Sequence, residues 1–297
     1  MSAESLAQTL VFGLFVGGIY GVAAMGLALV FGVLKVLNIA HGELLMLGGY
    51  LSFWAHQSLG IDPFASLAIV MPAMFLFGLV MDRTVYRHIV RLPAAEKIKN
   101  SLLVSFGLAL VIQNLALWLF SADERAIQVS YAGESLVVLG VSLPYTRLAG
   151  FVITLVIVFA LHQFLHRTDF GKAIRATVED WEAAELAGIN IQRIYMITFA
   201  LGAALAAAAG TLVTVTYGVA PGVGILWTLK ALIVVVLAGT GGMLGAFPAG
   251  LLLGLVEALS GAFIGPSYRE LAGLAVFLLV LVLRPQGLFA GRRSGQR

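Results

Sequence analysis

The sequence predicts an all-α polytopic membrane protein: a bundle of about 8–9 transmembrane helices, some of them discontinuous, with a small hairpin on the outer face. Three observations predict it. Hydrophobic residues make up 60% of the 297 positions and charged residues 11%, where a soluble domain carries roughly 25% charge. Mean hydropathy is +1.00. The apolar residues gather into runs of membrane-spanning length, and no charged stretch between them is long enough for a soluble domain. Residues 1–297 therefore read as a single transmembrane domain with one polar loop at 166–193.

The apolar runs, in order, are Leu6–Leu34, Asn38–Gln57, Phe64–Met81, Ser101–Phe120, Leu148–Leu165, Ile194–Tyr217, Leu226–Gly239, Ala246–Ile264 and Ala272–Leu283. The Asn38 and Leu226 runs are poor candidates for simple full spans, because polar residues or glycines interrupt them or their edges. Gly13, Gly17 and Gly21 form a small-residue stripe on the first span. Gly250, Gly254, Glu257 and Gly261 share a face of a later one, and such stripes let helices approach closely. Gln113 and Asn114 in the fourth span are expected to hydrogen-bond across helices. The connection Ser121–Thr146 holds Ala126–Tyr131, Gly133-Glu-Ser and then Leu136-Val-Val-Leu, and it reads as a β-hairpin.

Lys and Arg placement sets the orientation. Lys35, the group Arg83, Arg87, Arg91, Lys97 and Lys99, the group Arg167, Lys172, Arg175 and Arg193, and the closing arginines 284, 292, 293 and 297 alternate correctly if all are cytoplasmic. The N-terminus is then periplasmic and the C-terminus cytoplasmic. Met1–Ser5 lacks the basic flank of a signal peptide, and the first apolar run is too long for one. The pI near 9.3 follows from this topology, and nucleic-acid binding is not expected. Absence of cysteine excludes disulfides, thiolate metal sites and a cysteine nucleophile.

The polar loop is the most distinctive stretch. Several adjacent charges cannot sit in lipid. Asp180 is placed to cap a helix over Trp181–Ala187, with Gly188 as its left-handed C-terminal residue, and a short helix over Gly171–Thr177 is expected before it. Gly171-Lys172 lacks the upstream glycine of a Walker motif, so the chain cannot hydrolyse ATP itself and any ATP-driven role needs another subunit. No cofactor and no metal are expected on this chain.

Two further regions could carry chemistry. Asn38-Ile-Ala-His-Gly-Glu43 places Asn38, His41, Gly42 and Glu43 within about one helical turn, as broken helices lining a transport path do. Ala220-Pro-Gly-Val-Gly224, Lys230 and the glycine run 239–245, with Gly241 at its centre, outline another irregular region. Leu244 stands where a dinucleotide fingerprint needs glycine, and there is no βαβ context, so nucleotide binding is rejected. Glu257 needs a partner within its span, and Lys230 is the candidate. A catalytic role for His41 and Glu43 is disfavoured because no second cluster of ligating residues accompanies them.

Glu182-Ala-Ala-Glu-Leu-Ala-Gly188 resembles the E-A-A-x-x-x-G head of the loop by which ABC importer permeases engage their ATPases; the I-x-L-P tail of that loop is missing. Arg167-Thr-Asp-Phe-Gly-Lys-Ala-Ile-Arg-Ala176 and Gly188-Ile-Asn190 resemble the loop of permeases of branched-chain amino-acid (Leu/Ile/Val) ABC transporters. So do Gly17-Gly-Ile-Tyr-Gly21, Asn38-Ile-Ala-His-Gly-Glu43 and Met46-Leu-Gly-Gly-Tyr50 in the first half, and Leu229-Lys-Ala231, Gly241–Ala246 and Arg284-Pro-Gln-Gly-Leu-Phe289 in the second. The chain departs from that pattern at Ile39, where phenylalanine is common, and at Ala207 and Ala238, where glycine is usual.

The resemblance is to the first of the family's two permeases. It implies a bacterial inner-membrane location and an assembly with a second homologous permease, two cytoplasmic ATPase subunits and a periplasmic substrate-binding protein. Arg175, Asp180, Trp181, Glu182, Ala183, Ala184 and Gly188 would form the ATPase-coupling platform. Asn38, His41, Gly42, Glu43, Lys230, Gly241 and Glu257 would border the substrate path, and half-helix N-termini near Gly42 or Gly241 would hold a substrate carboxylate. Same-family importers of urea, amides or aromatic acids remain alternatives, as does an ion-coupled secondary transporter using Glu257 or Glu43.

Overall fold

The computed structural model describes residues 2–138, 140–239 and 243–289. All nine apolar runs are helical: α1 (Ala3–Leu34), α2 (His41–Leu59), α3 (Pro63–Met81), α5 (Ala94–Phe120), α6 (Tyr145–Arg167), α9 (Ile191–Thr216), α10 (Val223–Ala238), α11 (Ala246–Phe263) and α12 (Arg269–Leu283). Among the described residues seven helices are long and apolar enough to cross a bilayer, and α2 and α10 are not among them. Helices α1 and α9 form the centre and are apolar and buried on nearly every side, as an all-round hydrophobic helix must be. The outward faces of α5, α6 and α12 carry exposed Leu, Val and Phe, as lipid or partner contact requires.

Glycine contacts fix the crossings. Helices α1 and α11 run antiparallel with Gly13, Gly17 and Gly21 laid against Gly254, Gly250 and Phe247. The first stripe thus faces Gly250 and Gly254 of the second, and Gly261 packs on Arg269 instead. The same device brings Gly26 of α1 against Gly202 of α9, and Gly210 of α9 against the Leu45 carbonyl of α2.

Helix α2 starts beside the middle of α1. The His41 ring bonds the Ala23 carbonyl at 2.9 Å. Residues Lys35–Asn38 return along α1 without regular structure, followed by a turn at Ile39–Ala40. Such backbone tolerates membrane depth only where protein satisfies its polar groups, and here side chains do so. Ser101 Oγ accepts from the Leu37 amide at 3.2 Å and Ser105 Oγ from the Ile39 amide at 3.0 Å. Thr228 Oγ1 of α10 donates to the Ile39 carbonyl at 2.8 Å. Tyr86 OH donates to Asn38 Oδ1 at 2.7 Å. Ser105→Ala strands the Ile39 amide and is expected to cost about 1–3 kcal/mol. Its apparent melting temperature in detergent should fall, and Ser130→Ala, an exposed turn position, should leave it unchanged.

Three boundaries differ from the sequence reading. Helix α3 does not end at Met81: it continues through one π-helical turn, Asp82–Tyr86, into α4 (Arg87–Ile89). Helix α5 begins at Ala94, before its apolar run. The hairpin exists but lies further along the chain, with β1 (Ser135–Val138) antiparallel to β2 (Val141–Pro144). Ala126–Tyr131 is not one of its strands. That segment is pinned by other means: Arg125 pairs with Val219 as an isolated bridge, and Tyr131 OH donates to Asp62, the cap of α3. Burial, and then the Asp62 carboxylate, push the Tyr131 phenol above its ordinary value, so it stays a neutral donor. Gln8 of α1 holds β2 by two bonds to the Ser142 backbone, at 2.6 and 2.8 Å.

Candidate functional site

Two sites occupy opposite ends of α6 and α9. At one end the polar loop forms α7 (Asp169–Glu179) and α8 (Trp181–Leu186). Helix α7 is longer than the predicted Gly171–Thr177. Thr168 caps it by accepting from the Gly171 amide at 3.0 Å, and Gly171, Ile174 and Thr177 turn inward. Asp180 caps α8, accepting from the Glu182 and Ala183 amides, each at 3.0 Å. The chain leaves α8 through Gly188, at φ +88°, where a non-glycine residue is strained. The Gly188 and Ile189 amides close the end on the Glu185 and Ala184 carbonyls. Ala184 is buried beneath the helix; Trp181, Glu182 and Ala183 are exposed, Leu186 is 92% exposed, and Arg175 is exposed on α7. The loop thus presents a short, doubly capped helix with bare apolar side chains and acidic flanks.

At the other end lies a cavity of about 750 Å³. It is bounded by α1, the start of α6, the end of α9, helices α10 and α11, and residues 266–270. Its mouth is on the hairpin side, where Arg147, Tyr217, Arg269 and Glu270 stand. In its wall Lys230 Nζ donates to Glu257 Oε1, and Tyr20 OH donates to Glu257 Oε2 at 2.7 Å. Tyr20 and Trp227 pack with ring centroids 5.5 Å apart, and the Lys230 ammonium lies 5.7 Å from the centre of the Tyr20 ring. The carboxylate therefore has one cationic and one neutral donor, the compensation that a buried charge requires.

Lys230 and Glu257 are the residues of the predicted path that line this cavity. Gly42 and Glu43 are buried in the crossing of α2 with α10, Asn38 against Tyr86 and His41 against Ala23 of α1, and none of the four lines it. Gly241 lies outside the described residues. At that crossing the Gly42 amide donates to Thr228 Oγ1 at 2.8 Å, so a residue of α10 satisfies a first-turn donor of α2. The Glu43 carboxyl packs against Gly224 in the first turn of α10. The Glu43 carboxyl thus lies beside the N-terminal turn of α10, and its Oε2 is buried with no hydrogen-bond partner among the described residues. Among the described residues no group of His, Asp and Glu could hold a metal ion.

Sequence reasoning did not single out Tyr20, Trp227, Arg147 or Arg269. Tyr20 had a signal: a phenol inside a span needs a hydrogen-bond partner, and it sits between Gly17 and Gly21, on the turn that meets α11.

Comparison with known proteins places the chain. The family model described as "Branched-chain amino acid transport system / permease component" matches residues 9–283. The high-affinity branched-chain amino acid transport system permease protein BraD of Pseudomonas aeruginosa is 35% identical over 294 residues, covering 95% of this chain and 94% of that one. LivH of Escherichia coli K12, of the same description, is 31% identical with the same coverage. The solved structure of PsaBC from Streptococcus pneumoniae in complex with Fab has the same overall fold, with a TM-score of 0.50 at 13% identity, covering 94% of this chain and 92% of that one. The match over residues 9–283, on a bundle of long apolar helices, assigns the family: the chain belongs to the branched-chain amino acid transport permeases.

Proposed function

We propose that the chain is the permease subunit of an ATP-driven importer for branched-chain amino acids, working by alternating access. The observation that carries the reading is the placement of two unlike sites at the two ends of one bundle. The cavity opens on the hairpin side, which faces the periplasm and a substrate-binding protein. The α7–α8 platform faces the cytoplasm and two ATPase subunits. A second homologous permease completes the path against the exposed apolar faces, and no cofactor is bound by this chain. In this orientation the N-terminus is periplasmic and the C-terminus cytoplasmic.

The platform suits mechanical coupling. Trp181 and Leu186 offer apolar surface to a groove, and both ends of α8 are closed by hydrogen bonds, so a push is transmitted without fraying the helix. Helices α6 and α9 carry the displacement to the cavity end. Asp180→Ala removes the cap, worth about 0.5–2 kcal/mol, and Gly188→Val strains a left-handed position. Both are expected to reduce ATP-driven uptake and weaken ATPase association, with the permease fold retained.

The reading is tested by purification in mild detergent followed by reconstitution. An ATPase pair and a second permease should copurify, and leucine uptake into proteoliposomes should require ATP and a loaded binding protein. Uptake by the isolated chain that collapses with a protonophore would instead identify an ion-coupled transporter.

A further inference from the structure

We propose that the cavity between α1, α10 and α11 is a subsite for a zwitterionic α-amino acid, in which the Lys230–Glu257 pair opens and each partner takes the opposite end of the substrate. The inference deepens the reading above and rests on it.

The site has the right parts. The cavity, about 750 Å³, lies within the roughly 300–1,000 Å³ of small-molecule sites. Glu257 is 6% exposed and still lines it, beside Lys230. An α-amino acid carries an ammonium and a carboxylate on one carbon, a separation that neighbouring acidic and basic side chains can bridge. Tyr20 OH already bonds Glu257 and holds that carboxylate in place as Lys230 swings to the incoming carboxylate. Phe12, Val16 and Trp227 supply apolar wall for an aliphatic side chain. Arg147 and Arg269 outnumber Glu270 at the mouth, which favours entry carboxylate-first.

Charge conservation makes the site selective. The closed pair is neutral and so is a zwitterion, so insertion replaces one internal ion pair by two external ones and leaves no charge alone. A purely cationic ligand would leave Lys230 without its carboxylate, and a purely anionic ligand would leave Glu257 without its ammonium. An uncompensated buried charge is the costly outcome. A pair kept only for packing would gain nothing from a cavity beside it, since apolar residues of the same volume often serve as well.

The test uses the permease complex purified with its ATPases and without the binding protein. Trp227 emission is isolated by subtracting the Trp227→Phe signal, and the probes are L-leucine, leucinamide (cation) and N-acetyl-leucine (anion). Leucine should change the emission saturably, and the two singly charged analogues should bind at least about tenfold more weakly, the factor that 1.4 kcal/mol represents. The neutral pair Lys230→Met with Glu257→Gln should abolish the response. If that variant does not fold, Tyr20→Phe, which removes one hydroxyl, should weaken leucine by about twofold to tenfold. Equal binding of all three probes, no response to any, or unaltered leucine binding in the variants would overturn the subsite. ATP-driven uptake by the wild-type complex, reconstituted in proteoliposomes with the loaded binding protein added back, separates the two readings: uptake without a leucine response at Trp227 removes the subsite alone, and no uptake removes the importer.

Discussion

Gly42→Val is expected to abolish recovery of folded protein. A Cβ at position 42 would overlap the Gly224 carbonyl and Thr228 Oγ1, and the first of these is backbone that cannot rotate away. Relief requires α2 and α10 to separate. That would break the Gly42–Thr228 bond and the Thr228 bond to the Ile39 carbonyl, exposing the return segment's polar groups to an apolar surround. Overpacking alone costs about 1–3 kcal/mol, and each stranded buried group adds about 1–3 kcal/mol. Together these approach the whole stability of a typical domain, about 5–15 kcal/mol. Gly107 makes the control, because nothing lies near its missing Cβ. Gly107→Ala should be neutral or gain about 0.5–1 kcal/mol from reduced backbone freedom. Size-exclusion profiles in detergent read both, and a monodisperse Gly42→Val peak at wild-type yield would mean that the two helices do not approach so closely.

Lys230→Met is expected to have the second-largest effect. The Lys230 and Glu257 side chains are 15% and 8% exposed, and removing one partner of a buried pair costs about 3–5 kcal/mol. The Tyr20 hydroxyl remains on Glu257, so the low end of that range is expected. Adding Glu257→Gln to Lys230→Met removes the orphaned charge and should recover part of the loss in melting temperature. A single variant as stable as wild type would show that the pair carries no stability.

Much of the architecture was legible, because helices in a bilayer announce themselves by apolar length. The α8 caps were legible too: Asp180 and Gly188 are local signals, each acting on amides or carbonyls within a few residues. What the sequence hid is long-range. Met81 ended an apolar run, but the helix continues because Tyr86 packs inward on Phe199 and bonds Asn38. The return segment after Lys35 looked merely polar at Asn38. Its real requirement is hydroxyls from Ser101, Ser105 and Thr228, the last nearly two hundred positions away. The hairpin was misplaced because Ala126–Tyr131 has strand-like alternation; its backbone partner at Arg125 is Val219 of another connection, which local patterning cannot reveal. The cavity wall depends on Tyr20, Lys230 and Glu257 converging from three helices, and only the last two carry a charge that draws notice in an apolar stretch.

The return along α1 sets a limit on motion. Ala23 stands twelve residues before Lys35, and the Ala23 carbonyl and the His41 ring meet roughly 15–18 Å up α1 from its end. Six residues can cover at most about 20 Å when drawn straight. The segment from Lys35 to His41 is therefore a short leash, with its reserve of length in the turn at Ile39–Ala40. Helix α2 can slide toward the Lys35 end by letting the leash buckle, but it cannot rise far toward the hairpin without unwinding the last turn of α1.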